Sequence, residues 1–414
     1  MLKIFNTLTK TKEKFYAITG KSVNIYVCGV TVYDHCHIGH ARTFTIFDMI
    51  VKYLRYCKYD VIYIRNITDV DDKIINVSKL NNENISMLTN RIIGSMHQDF
   101  KKLGLDKPTF EPKVTEHILD IINFIKILIN KNHAYVAKNG DVLFAINTCK
   151  QYGTLSKQKL NKLTLNSRIN TKNIKNNSND FVLWKKTGFF DILYWDSPWG
   201  PGRPGWHIEC SSINHVFFNN QLDIHGGGTD LLFPHHENER AQSICLNQAD
   251  NYGRYWVHSG SLLIKNKKMS KSLNNTLRLN DLLKQYNGEI IRYFFLSTHY
   301  RKPLLYDFIN LKNAKYSLKK LYTVLLKYKN NIIKYKNSIL EYKYISDDFL
   351  SAMNDDFNTP KAISILFVLL KKIHFFFKER NFILSNQLIF QLRYLANIIG
   401  LLNQNPAYFL EEIK

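Results

Sequence analysis

Three groups of residues in this 414-residue chain have types and spacings that could do chemistry. The first is Cys28-Gly29-Val30-Thr31-Val32-Tyr33-Asp34-His35-Cys36-His37-Ile38-Gly39-His40. His37 and His40 are three apart, so at the start of a helix both rings share one face, where free backbone N–H groups and the helix dipole favour an anion. Gly39 between them lets a ligand approach closely. A lone His-x-Gly-His also arises by surface coincidence, but this one directly follows the apolar run Ile25 to Cys28, a strand. The second group is Lys268-Met269-Ser270-Lys271-Ser272. Two lysines among small hydroxyl residues suit a mobile clamp for a polyphosphate, against the plainer reading of one more lysine cluster in a lysine-rich protein.

The third group is scattered. Cys28 is expected to end the first strand, Cys210 follows Trp206-His207-Ile208-Glu209, and His235 and Glu239 lie in Phe233-Pro234-His235-His236-Glu237-Asn238-Glu239. His235 and Glu239 are four apart behind a helix-starting proline, so they share one face and can ligate one ion. Two thiolates, an imidazole and a carboxylate suit Zn²⁺ by hardness and count. No compact Cys-x-x-Cys signature accompanies them, and spacing alone leaves the metal open.

The elements that must position these residues can be read from hydrophobic periodicity. Ile25 to Cys28, the helical spacing of Ala41 to Arg55, and Val61 to Ile64 form a βαβ unit, which implies a parallel sheet with its ligand site at the carboxyl ends of the strands. Helical periodicity is expected from about Ile92 to Asn130, with Thr115 as an N-cap before Glu116. Ala134 to Ile146 reads as β-like, Asn161 to Asp180 as a solvated loop, and the Gly- and Pro-rich stretch Ser197 to Gly205 is not helix interior. After about Leu311 the sequence is helical and basic, with Thr359 expected as a cap and Pro360 as the first helical residue. Acidic Asp69, Asp71 and Asp72 read as a helix N-terminus rather than a Mg²⁺ site.

Composition bounds the class. Apolar residues make up 45% and charged residues 22%, which excludes a disordered chain. The formal charge of +23 attracts polyanions, although lysine-rich surfaces also follow from biased codon composition. Six irregularly spaced cysteines do not make a secreted disulfide framework, and Cys36, Cys57, Cys149 and Cys245 read as core or surface residues. The N-terminus lacks the apolar core of a signal peptide and no apolar run reaches the ~20 residues of a membrane span. A cytoplasmic protein with no membrane partner is expected.

Taken together, the His-Ile-Gly-His and Lys-Met-Ser-Lys-Ser motifs resemble those of a class I aminoacyl-tRNA synthetase. Arg65-Asn66-Ile67-Thr68-Asp69-Val70-Asp71-Asp72-Lys73-Ile74, Asp180 to Lys185, Pro198 to Cys210, Asp223 to Asp230 and Asn354 to Pro360 resemble the cysteinyl-tRNA synthetase family across most of residues 1–365. The resemblance implies an α/β fold: a Rossmann-type parallel-sheet catalytic domain in two halves, 1–115 and 196–255, around a connective insertion, 116–195. A region contacting the tRNA stem, 256–310, and a C-terminal α-helical bundle, 311–414, would follow. It implies ATP-dependent ligation of L-cysteine to tRNA-Cys through cysteinyl-adenylate, with catalysis by His37, His40, Lys268 and Lys271 and with Mg²⁺ on the ATP. One Zn²⁺ per chain would be held by Cys28, Cys210, His235 and Glu239 and would bind the substrate thiolate. That selects against serine where size alone yields only ~1–3 kcal/mol.

Gly39, Gly226, Gly228, Asp230 and Lys271 are expected to contact ATP. Cys28, Gly29, Thr68 and Trp206 are expected to contact the amino acid. A monomer is expected. The family usually continues into a small anticodon-reading domain, so the end at Lys414 leads to the expectation of a shortened C-terminus. Two rivals remain: a cysteine ligase acting on a small amino sugar, as in mycothiol synthesis, and a non-enzymatic nucleic-acid-binding protein. The net charge and basic helices favour tRNA over the first, and the intact phosphate and metal motifs argue against the second.

Overall fold

The computed structural model describes residues 1–158, 175–188, 191–219, 221–247, 252–264, 267–268, 276–327 and 343–414. An antiparallel pair, β1 (Lys3–Asn6) and β2 (Thr11–Lys14), precedes β3 (Ser22–Thr31), α1 (Ile38–Tyr56) and β4 (Asp60–Thr68). β3 and β4 run parallel, so the βαβ unit is present. Cys28 does not end its strand: the register shifts between Val27 and Val30, and β3 continues to Thr31. The irregularity is what turns the 28–29 segment away from regular pairing.

α2 (Asp72–Asn81) and α3 (Ile85–Lys102) follow. Asp71 caps α2 through Lys73 N–H, as the acidic run suggests. The helical stretch expected up to Asn130 is interrupted, because Gly104 closes α3 in a left-handed conformation (φ 70°) and Pro108 and Pro112 cannot supply helix N–H groups. The chain there runs extended beside β4 and resumes as a 3₁₀ turn, Val114–His117, and α4 (Ile118–Asn130). Thr115 is therefore not an N-cap. It lies inside that turn and donates its N–H (3.0 Å) and hydroxyl (2.6 Å) to buried Asp69.

β5 (Ala134–Val136), β6 (Val142–Phe144), β7 (Phe181–Lys186) and β8 (Gly202–Pro204) form an antiparallel sheet in that order. Of the expected loop, 161–174 lies outside the described residues. α5 (Trp206–Phe218), β9 (Ile224–Gly228), a helical turn at Leu232–His236, α6 (Glu237–Asn247) and β10 (Tyr255–Ser259) return the chain to the first sheet, whose parallel order is β10-β9-β3-β4. β3 thus has β4 on one side and β9 on the other. A crevice opens at the carboxyl end of the strand where the winding reverses, which is where such folds bind ligands.

β11 (Leu262–Ile264) pairs with β12 (Lys267–Lys268) and β13 (Leu304–Tyr306). α7 (Leu279–Leu283) and α8 (Gly288–Leu296) lead to the helices α9 (Phe308–Lys327), α10 (Lys343–Asn354), α11 (Thr359–Lys378), α12 (Phe382–Ile398) and α13 (Pro406–Glu412). The cap of α11 is Asn358, not Thr359: its side chain accepts from Lys361 N–H, while the Thr359 hydroxyl donates to Leu296 O (2.7 Å). α1, α8 and the bundle meet at a buried ion pair, Arg292 to Asp48 (2.6 Å), with Arg292 also donating to Ile399 O. Among the described residues no helix is long and apolar enough to cross a membrane.

Candidate active site

The crevice holds a cavity of about 280 Å³. At one wall His37 is the N-cap of α1 and His40 its third residue. Each backbone N–H donates to the other ring's Nδ1 (3.2 and 3.4 Å), and the rings stack with centroids 3.6 Å apart. The two histidines therefore close the helix end reciprocally and line the cavity where the dipole favours an anion. Arg42, missed in the sequence reading, is buried one turn on and donates to the carbonyls of Gly260 (2.7 Å), Ser261 (2.8 Å) and Lys302 (2.5 Å). It ties the approach of β11 to α1. Burial pulls its pKa down to about 10. The side chain of Lys268 and all of Lys271 lie outside the described residues.

At the other wall, Cys28 of β3, Cys210 of α5, His235 of the turn before α6 and Glu239 at the start of α6 meet, all buried, with their ligand atoms within 4.8 Å of one another. His235 Nε2 is 2.8 Å from Glu239 Oε1, the Cys28 thiol donates to the same oxygen at 3.2 Å, and Cys210 Sγ is 3.6 Å from His235 Nε2. Tetrahedral Zn²⁺ with Zn–N ~2.0 Å and Zn–S ~2.3 Å needs neighbouring ligand atoms roughly 3.3–3.8 Å apart. The cluster is already close to that spacing.

Its charges also fit a cation. Burial opposes ionisation throughout, yet His225 and His235 hold the Glu239 carboxyl well below the usual range. Against burial, Glu239 and Cys210 carry His235 up to about 10. Cys210, opposed by burial, is drawn down to about 6 by the Cys28 hydrogen bond and His235, while burial and Cys210 push Cys28 well up. A thiolate and a carboxylate thus surround one positive charge, and Glu239 Oε2 faces His225 Nε2 at 3.2 Å. A divalent metal would take the place of that proton.

His225 and His236, not assigned as ligands from the sequence, form a second group with Cys28 and Glu239. Both are fully buried, and His236 continues through His258 (2.8 Å) to the Thr7 hydroxyl (2.8 Å). His207 was also missed. Its Nδ1 lies 3.0 Å from His235 Nδ1, which directs the opposite nitrogen, Nε2, at the cluster, and burial with His235 lowers its pKa to about 3. The signal available was its place three residues before Cys210 on one helix face.

Between the walls, Gly29, Thr68 and Trp206 line the cavity. Trp206 stacks on His235 with centroids 4.4 Å apart, and the Thr68 hydroxyl donates to buried Glu209 (2.8 Å). Burial, then Cys210, pushes the Glu209 carboxyl well up. A Cβ at Gly29 would sit 1.5 Å from Asn66 O, so only glycine permits this approach. Gly39, Gly228 and Asp230 also line the cavity. Gly226 is not among the lining residues: a Cβ there would meet Phe47 Cε1 at 2.2 Å, so its bareness serves the packing of β9 on α1. Cys36, Cys149 and Cys245 are buried and Cys57 half-buried, as expected of packing residues.

Comparison with known proteins agrees with this geometry. Residues 14–316 match the family described as tRNA synthetases class I (C) catalytic domain, and residues 348–403 match the DALR domain. A cysteine--tRNA ligase of Blochmanniella pennsylvanica is 52% identical over 416 residues, covering 100% of this chain and 88% of that protein. One of Buchnera aphidicola subsp. Acyrthosiphon pisum is 53% identical (100% and 87% covered), and one of Proteus mirabilis is 50% identical (99% and 87%). Mycobacterium tuberculosis methionyl-tRNA synthetase in complex with methionyl-adenylate superposes with a TM-score of 0.67 at 12% identity over 92% of this chain and 89% of that one, which speaks to the fold. With half of its residues shared across its whole length and a catalytic-domain match over the crevice just described, the chain belongs to the cysteine--tRNA ligases of the class I tRNA synthetases.

Proposed function

We propose that this chain ligates L-cysteine to tRNA-Cys with ATP as the energy source, through cysteinyl-adenylate. The observation that carries the reading is the buried two-thiol, histidine and carboxylate cluster opening into the same cavity as the capped end of α1. The cysteine carboxylate attacks the α-phosphorus of ATP and pyrophosphate leaves. A terminal adenosine hydroxyl of the tRNA then takes the cysteinyl group from the mixed anhydride, and AMP leaves. His37 and His40, with the N-terminus of α1, stabilise charge on the phosphates, and Lys268, Lys271 and Mg²⁺ are assigned to the same task. Gly228 and Asp230 belong to the adenosine side, and Gly29, Thr68 and Trp206 to the amino-acid side.

Zn²⁺ is assigned to Cys28, Cys210, His235 and Glu239 in preference to the Cys28, His225, His236 and Glu239 group. The first has two thiolates, and its Cys28, Cys210 and His235 line the cavity, whereas His225 and His236 do not. Held there, the ion would favour a substrate thiolate over the hydroxyl of serine. Residues 116–195 are assigned to the acceptor end, 256–310 to the stem and the basic helices from 311 to the tRNA backbone. A cytoplasmic monomer is proposed. Two measurements test the reading: elemental analysis of protein purified without added metal, and charging of tRNA-Cys against small amino sugars with labelled cysteine. Near-zero zinc refutes the metal assignment, and transfer to the sugar but not the tRNA refutes the acceptor.

A further inference from the structure

The helix that delivers Glu239 is braced from behind. α6 begins at Glu237, directly after the helical turn Leu232–His236, so Glu239 sits in its first turn, close to the break at Phe233, whose φ/ψ leave the helical region. At about 100° per residue, Glu237 points to the side opposite Glu239, while Asn238 and Arg240 flank it on either side. All three bind one turn, residues 151–156, between β6 and β7. The buried Glu237 carboxylate accepts Gly153 N–H (2.9 Å) and Ser156 N–H (2.6 Å). Asn238 accepts the Tyr152 hydroxyl (2.6 Å), and Arg240 donates to Thr154 Oγ1 (2.9 Å) and Gln151 Oε1 (2.6 Å). Gly153 has φ 88° and a Cβ there would meet Gln158 O at 2.3 Å, so the turn that aims these N–H groups requires glycine.

We propose that Glu237 is a positioning residue for the metal site: by holding the 151–156 turn against one face of α6, it sets where the opposite face presents Glu239 to Cys28, Cys210 and His235. This rests on the zinc reading above. It makes a segment from outside the parallel sheet part of the support of the amino-acid pocket, although no atom of that segment is a ligand.

The test is zinc affinity of the full chain at 25 °C, by competition with a chromogenic chelator, for wild type and Glu237→Gln. The amide keeps the size but turns a donor toward one of the two N–H groups. The Kd should rise at least threefold, and ~10-fold on the scale set by losing an outer-shell partner. A purely structural role would lower the melting temperature of the metal-free chain and leave the Kd of the folded protein unchanged. A rise below threefold in a folded variant, judged by circular dichroism, overturns the proposal. Should Glu237→Gln not fold, Tyr152→Phe decides, since it removes only the hydroxyl on Asn238: a rise of twofold or more supports the brace and a smaller one overturns it. A wild-type chain that takes up no zinc overturns the metal reading and this inference with it, whereas tight wild-type binding with an unchanged variant overturns the brace alone.

Discussion

In the helical bundle, Leu366, Leu369, Leu388, Leu392 and Leu395 are fully buried on facing sides of α11 and α12, and they reach those positions by spacings of three and four along two neighbouring helices. In the pocket of the proposed metal site, Cys28 and Glu239 touch although they lie 211 positions apart in the chain, and histidines and a second thiol join them. Both regions are buried, but the bundle is held by many interchangeable apolar contacts of ~1.5–3 kcal/mol per side chain. The pocket is held by a few charged and hydrogen-bonded groups, each of which is costly to leave unpaired. Stability should therefore be spread over the bundle, and chemistry concentrated in the pocket.

The largest separation of the two is expected from Cys210→Ala. Removing a ligand outright should weaken zinc binding beyond the ~10–100-fold typical of an outer-shell change, with cysteine-dependent ATP–pyrophosphate exchange falling in parallel. Melting of the metal-free chain should move little. A variant that retains one zinc per chain would remove Cys210 from the ligand set.

Next in size is Asp48→Asn, at the joint between the catalytic sheet and the bundle. It leaves Arg292, fully buried, without its carboxylate, a loss of ~3–5 kcal/mol in denaturant titration. Burial pushes the Asp48 carboxyl up, but Arg292 and Lys52 outweigh it and hold it below its ordinary value. The stability from a depressed folded pKa is complete above the unfolded value of ~3.9 and is lost as pH falls through the folded value. Wild type should lose stability across that acid window, and Asp48→Asn should lose less. Equal slopes would show that the pair does not titrate with folding.

Leu392→Ala should cost ~2–5 kcal/mol by cavity formation. Its zinc affinity, measured well below the melting temperature, should match wild type. If zinc binding weakens with it, the two regions are coupled and the division drawn between them fails. The smallest effect is expected from Thr359→Ala, about 1 kcal/mol, because Asn358 and not Thr359 caps α11, and only the hydroxyl bond to Leu296 O is lost. An Asn358→Ala variant with no cost would reverse that assignment.

Much of the bundle and of the βαβ unit is legible in the sequence, because periodicity reports which face of a helix or strand is buried, and both depend on near neighbours in the chain. The pairing of His37 with His40 and of His235 with Glu239 is legible for the same reason, since three or four residues is one helical turn. The break after α3 was missed because the apolar spacing resumes in phase on the far side of Pro112. The caps at Thr115 and Thr359 were misread because a threonine hydroxyl bonds whichever partner the tertiary fold brings nearest, here Asp69 and Leu296 O. Residue type alone told that two thiols, an imidazole and a carboxylate would suit zinc. That they meet, that His207 aims one of them, that Gly226 packs rather than binds, and that a distant turn braces Glu239 were decided only when four segments folded together. Contacts between remote segments depend on the path of the chain, which no local spacing encodes.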